Sequence, residues 1–259
     1  MMHHQSKTFN LVFIGISSLA FTLLFLIILT IFTSTSPGEL FDLIRSPEVA
    51  SAIIISLKTS LVVLVFTFVV GFPVAFLLAM KEFKGKALVD ALVELPIVMP
   101  PMVTGIALLS MLNKSLPGFD IIFTQKGIVF AQFVVASPFF IKTVRESIAS
   151  IPQNLFDAAA SLRASSVFTL FRVVMPLCKT GIIAGLILTW ARALGEFGAT
   201  SMVAGSIPFK TETLTLSIYN KAMSGDLSSA FGVAFLLTLC SLLFLATFKT
   251  LFARRRYGY

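Results

Sequence analysis

Few residues of this chain can act on a charged solute, and two of them sit where charge is costly. Arg192 and Glu196 fall within an apolar run over residues 181–203, GIIAGLILTWARALGEFGATSMV. Facing lipid, each would cost about 2.5–3.5 kcal/mol, so both are expected to face protein or water. A spacing of four residues puts them on one face of a helix. One reading is an internal ion pair that fixes helix packing, although Arg ahead of Glu is the weaker order for such a pair. The other makes Arg192 a weak, passing attraction for an anion in a translocation pathway, with Glu196 cancelling enough of its charge to prevent tight binding. Ser137 and Thr200, hydroxyls inside apolar runs, join them as candidate pathway residues.

Enzymatic chemistry has no such footing. The phosphate-cradling pattern GxxxxGK[ST] is absent: Gly85-Lys86 is followed by Ala87 and lacks the upstream glycine. His3 and His4 stand together at the terminus, and Cys178 and Cys240 have neither the number nor the placement for a disulfide framework or a metal site. The chain is therefore expected to be no enzyme and to bind no cofactor itself. Its net charge of +8 raises nucleic acid as a partner, but no aromatic-basic module supports one, and basic residues in so apolar a chain are first explained by membrane orientation.

The elements that must position these residues are membrane helices. At 57% hydrophobic and 12% charged, with a mean hydropathy of +0.96, the 259 residues are too apolar for a soluble domain. Six apolar runs are long enough to span a bilayer: residues 11–33, 54–80, 95–112, 127–144, 181–203 and 230–252. The first is longer than a signal-peptide core and no small-x-small cleavage site follows it, so it is expected to be retained. Residues 34–51 and 206–229 read as exposed polar segments. Three prolines in ELPIVMPPMVTG are expected to bend the third helix or break its first turn, and Ser137-Pro138 to kink the fourth. Gly181 and Gly185 allow close helix contact. An even number of spans puts both termini on one side, and assigning that side to the cytoplasm gathers about 13 of the 20 lysines and arginines there.

Residues 157–176, DAAASLRASSVFTLFRVVMP, interrupt the apolar pattern. Pro152 can occupy a first helical turn, and Leu155, Phe156, Ala159 and Leu162 recur at helical spacing after it. Ser165 and Ser166 can cap a second short helix with Val167, Phe168, Leu170 and Phe171 on its apolar side, bracketed by Arg163 and Arg172. Two short helices meeting at an elbow are expected on the cytoplasmic side, and an amphipathic loop lying on the membrane is the plainer alternative.

This stretch resembles the coupling loop of ABC importer permeases, whose pattern is Glu-Ala-Ala, then a Gly, then Ile-x-Leu-Pro. Asp157, Ala158 and Ala159 take the first places, and Val173, Met175 and Pro176 the last. Arg163 stands in the Gly place, where an L-residue costs roughly 1–2 kcal/mol if the elbow needs a left-handed backbone. The resemblance implies that Asp157, Ala158, Ala159, Leu162, Arg163, Ala164, Phe168, Phe171 and Pro176 couple the chain to an ATPase. Residues 191–219, ARALGEFGATSMVAGSIPFKTETLTLSIY, together with LPIVMPPMVTG, are similar to the molybdate and tungstate permeases of that family. Sulfate permeases are similar around ALGEFG and typically diverge after it.

The resemblance implies an all-α, type I permease with six transmembrane helices in the cytoplasmic (inner) membrane. Residues 1–53 would form the first helix and an external loop, 54–252 the permease core with its coupling loop at 148–179, and 253–259 a basic tail. Implied partners are a second copy of the chain, two ATPase subunits that hold ATP and Mg, an extracytoplasmic oxyanion-binding protein and the lipid bilayer. A sulfate or thiosulfate permease is the nearest alternative. An ATP-independent secondary transporter is a further one, against which the lack of internal repeats with broken helices argues.

Overall fold

The computed structural model describes residues 7–115 and 120–253, and the secondary structure among them is entirely helical. In chain order the elements are α1 (Lys7–Thr33), α2 (Pro37–Arg45), α3 (Pro47–Phe66), a π turn (Thr67–Gly71), α4 (Phe72–Met80), α5 (Lys86–Val98), α6 (Pro101–Ser115), α7 (Gln125–Ala149), α8 (Gln153–Ser161), α9 (Ser166–Thr169), a second π turn (Leu170–Val174), α10 (Met175–Leu177), α11 (Lys179–Leu194), α12 (Gly198–Ala204), α13 (Leu214–Met223) and α14 (Leu227–Ala253). His3, His4 and the terminal arginines Arg254, Arg255 and Arg256 lie outside the described residues.

Four helical stretches are long and apolar enough to cross a bilayer unbroken: Leu11–Thr33, Pro47–Met80, Gln125–Ala149 and Leu227–Thr250. Two bent pairs, α5 with α6 at 114° and Ser166–Leu177 with α11 at 70°, are long and apolar enough only when each is taken as one span. Among the described residues the candidate crossings therefore number four, or six with each bent pair taken as one span, against six expected. Pro73 explains the irregularity inside the second span: it has no N–H to donate, and the ladder accommodates this by widening into the π turn just before it.

Several boundaries differ from the sequence expectation. The segment 34–51 is not a loop: Ser36 caps α2, accepting from Glu39 N–H at 3.3 Å while its own N–H donates to the Glu39 carboxylate at 2.9 Å, and Pro47 then opens α3. That bond holds the Glu39 carboxyl below the ordinary carboxylate range. Residues 206–229 contain α13. The third run breaks completely between Val98 and Pro101, and its first half reaches back to Lys86. Helix α7, by contrast, carries Pro138 in its interior without interruption.

Helix α7 is the centre of the subunit, touching α3, α4, α5, α6, α11 and α12. Its most intimate neighbour is α11, and the paired glycines explain why. A Cβ at Gly185 would come within 3.0 Å of the Phe140 ring, and at Gly181 it would collide with Ser147. On the far side of α11, Trp190 stacks on Phe244 of α14 with 3.5 Å between ring centroids. Helix α1 buries none of its apolar span.

Candidate functional sites

The expected elbow is present. Leu162 caps α8, Arg163 N–H donates to Ala160 C=O at 2.9 Å, and Ala164 N–H reaches back to Ala159 C=O at 3.0 Å. These two bonds form a Schellman cap, which requires a left-handed residue at the place Arg163 occupies, and its φ is +54°. Ser165 then caps α9, accepting from Phe168 N–H at 3.2 Å. On one side the elbow is anchored to the core: Ala159 is buried, and Phe156, Leu170 and Met175 pack against the cluster that holds Ile148, Val174 and Cys178.

On the other side it is open. A groove of about 740 Å³ runs between α8 and α9–α10, with Ala158, Ala159, Leu162, Arg163, Ala164, Phe168 and Pro176 among its lining. Arg172 lies on the same groove. Asp157 and Phe171 are exposed but stand outside it, Asp157 accepting from the Gln153 side-chain amide at 3.3 Å. Leu162 does not face the core with Ala159, as its spacing suggested; at 82% exposure it projects from the turn. An apolar residue held out in this way has nothing to bury against within the subunit.

Arg192 and Glu196 are paired, with 2.5 Å between Arg192 Nη1 and Glu196 Oε2. They do not share a helix face, however. Helix α11 ends at Leu194, and Glu196 lies in the three-residue break before α12. There its other carboxylate oxygen accepts from Ala199 N–H at 2.8 Å, satisfying a donor that the start of α12 leaves unpaired. Its carbonyl accepts from Thr215 Oγ1 at 2.9 Å. Glu196 is 1% exposed and Arg192 26%. The pair therefore holds together α11, α12 and the start of α13, and Arg192 alone of the two touches open space. Ser137 and Thr200 are both buried, the Thr200 hydroxyl without a protein partner. Glycines let α12 approach α6, since a Cβ at Gly198 would sit 2.9 Å from the Met102 backbone and one at Gly105 2.8 Å from Ala199.

A second charged cluster was not anticipated. Asp90 and Glu94 of α5 face Lys142 and Arg145 of α7: Arg145 bonds both carboxylates, Glu94 at 3.2 Å, and Lys142 reaches Glu94 at 3.3 Å. Helix α5 contributes no fully buried residue, and this cluster ties it to α7 alongside Val93, which packs against the core. The sequence did hold a signal. Two carboxylates four residues apart in an apolar helix repel unless cations face them.

The chain is thus all-helical among the described residues, with four to six candidate membrane crossings and an exposed apolar elbow between α8 and α9. The chain belongs to the family of binding-protein-dependent transport system inner membrane components, whose signature matches residues 71–257. It is 32% identical over 233 residues to the sulfate transport system permease protein CysT of Salmonella typhimurium, covering 86% of this chain and 84% of that one. It is 36% identical over 179 residues to the molybdenum transport system permease protein ModB of Haemophilus influenzae, covering 66% and 78%. In fold it matches a chain of a bacterial ABC transporter that imports alginate, with a TM-score of 0.75 at 16% identity over 97% of both chains. These relatives place it in the oxyanion group of ABC importer permeases.

Proposed function

We propose that this chain is the translocating subunit of an ATP-driven importer of molybdate or tungstate. It would work as a pair of copies, both termini in the cytoplasm, with two ATPase subunits beneath and an extracytoplasmic binding protein above. The observation that carries the coupling half of this reading is the open groove at the elbow: Leu162 and Phe168 lie exposed beside Arg163 and Arg172, a surface that an ATPase would complete. Closure of the ATPase pair on ATP would pull the elbows, and the rigid seam between α7 and α11 would carry the movement into the membrane.

Selectivity is assigned to the external binding protein. A permease must release what it carries, and Arg192 with its charge matched by Glu196 is suited to passing contact rather than tight binding. Molybdate or tungstate is preferred to sulfate on residues 191–219, and the higher identity to the molybdenum permease supports that choice, though over a shorter alignment. The test is uptake by the full assembly in vesicles. Labelled molybdate should enter only with ATP, and substituting the exposed Asp157 and Ala158 by bulky or basic residues should lower uptake while the subunit stays folded. Sulfate uptake indifferent to excess molybdate and tungstate would overturn the substrate, and uptake without ATP would overturn the coupling.

A further inference from the structure

A second groove, of about 940 Å³, lies between α3 and α7 and belongs to neither site above. Its two walls are graded alike. Along α3 and into the π turn that follows it the residues four apart are Lys58, Val62, Phe66 and Val70; on α7, Gln125 and Lys126 are followed by Val129, Phe130 and Phe133. The polar residues gather at the end where α7 begins and everything beyond them is apolar. From Lys58 to Val70 the chain descends about 18 Å, close to half of the roughly 30 Å hydrocarbon core.

Lys58 and Lys126 are both exposed, and among the described residues neither has a carboxylate within ion-pairing distance. Lys58 Nζ has only a long contact, 3.4 Å, to Gln125 Oε1. Asp120 lies on the same rim and offers an acceptor there. Two cations and one acceptor above a single-leaflet apolar slot match a phosphate that carries hydroxyls and an acyl chain.

We propose that this groove binds an anionic phospholipid of the phosphatidylglycerol type, with its phosphate on Lys58 and Lys126, its headgroup hydroxyls toward Asp120, and one acyl chain along Val62, Phe66 and Phe133. On the topology proposed above, the lipid belongs to the outer leaflet. The α1 helix of a second copy fits less well, because α1 contains no carboxylate and would cover both lysines unpaired. A free oxyanion would use the rim and leave the apolar slot empty.

Native mass spectrometry of the full chain, exchanged into bilayers of phosphatidylglycerol and phosphatidylcholine with matched acyl chains, tests this without depending on orientation or transport. The wild type should retain phosphatidylglycerol over phosphatidylcholine by roughly 30-fold, about fivefold per lysine. Lys58→Gln with Lys126→Gln, at exposed positions, should bring the two lipids close to parity. Val129→Trp, which fills the slot and leaves both lysines, should remove bound lipid of either kind. Retention that ignores the lysine substitutions, displacement of lipid by molybdate or sulfate, or a cysteine at Phe133 that crosslinks to α1 of a second copy would each overturn the proposal.

Discussion

Helices α8 and α13 end in the same hydrogen-bonded cap, and only one of them uses glycine. At the end of α13, Gly225 N–H donates to Ala222 C=O at 3.2 Å and Asp226 N–H to Lys221 C=O at 3.0 Å, with Gly225 at φ +85°. At the end of α8 the same pair of bonds turns on Arg163 at φ +54°. Space does not separate the two, since a Cβ at Gly225 would meet nothing within 4 Å. The difference is in the backbone, where an L-residue costs roughly 1–2 kcal/mol. Arginine at the strained place lines the apolar groove of the elbow, whereas Gly225 lines neither groove described above. On the function proposed above, the α8 elbow keeps a less stable residue for what its side chain does in the groove.

Four substitutions can break or sharpen that contrast. The largest effect is expected of Arg163→Glu, which reverses the charge at the groove. If one charge-assisted contact to the ATPase is lost, initial uptake should fall about tenfold or more, with little change in the subunit's melting temperature. Gly225→Arg comes next, placing at α13 what α8 tolerates. It should lower stability by about 1–2 kcal/mol, read as a melting temperature lower by about 2–8 °C, while uptake per folded assembly is unchanged. Arg163→Gly should do the reverse, raising stability by up to about 1 kcal/mol while slowing uptake. Full uptake in that variant would remove the functional reason for the arginine and collapse the comparison. The smallest shift belongs to Arg163→Asn, which tolerates the left-handed region and should gain only about 0.5 kcal/mol.

What was legible in the sequence was what local pattern encodes. Apolar length marked the candidate crossings, the Gly181 and Gly185 pair marked a close helix contact whose partner is α7, and the coupling pattern placed an elbow at Arg163 without fixing its backbone geometry. Helix α2 escaped although Ser36 and Glu39 spell a capping box, because its nine residues read as a polar loop. The break at Gly195–Phe197 was hidden in continuous hydrophobicity, so Arg192 and Glu196 were rightly brought together but for the wrong geometric reason. The α5 cluster depends on partners 48 to 55 residues apart, a pairing that no local periodicity carries.

The central place of α7 also sets an order in time. Helix α3 presents Thr59 and Ser60, and the π turn after it Thr67, to an interior that does not exist until α7 has been made, roughly 80 residues later. At about 5–20 residues per second the ribosome needs on the order of 4–16 s to deliver it. Through that interval the Thr59 hydroxyl donates to Ile55 C=O at 2.9 Å and that of Ser60 to Leu57 C=O at 3.1 Å, bonds internal to α3 that need no other helix. The newborn span can therefore wait in lipid with those two hydroxyls already satisfied, and assembly becomes a matter of arrival rather than rescue.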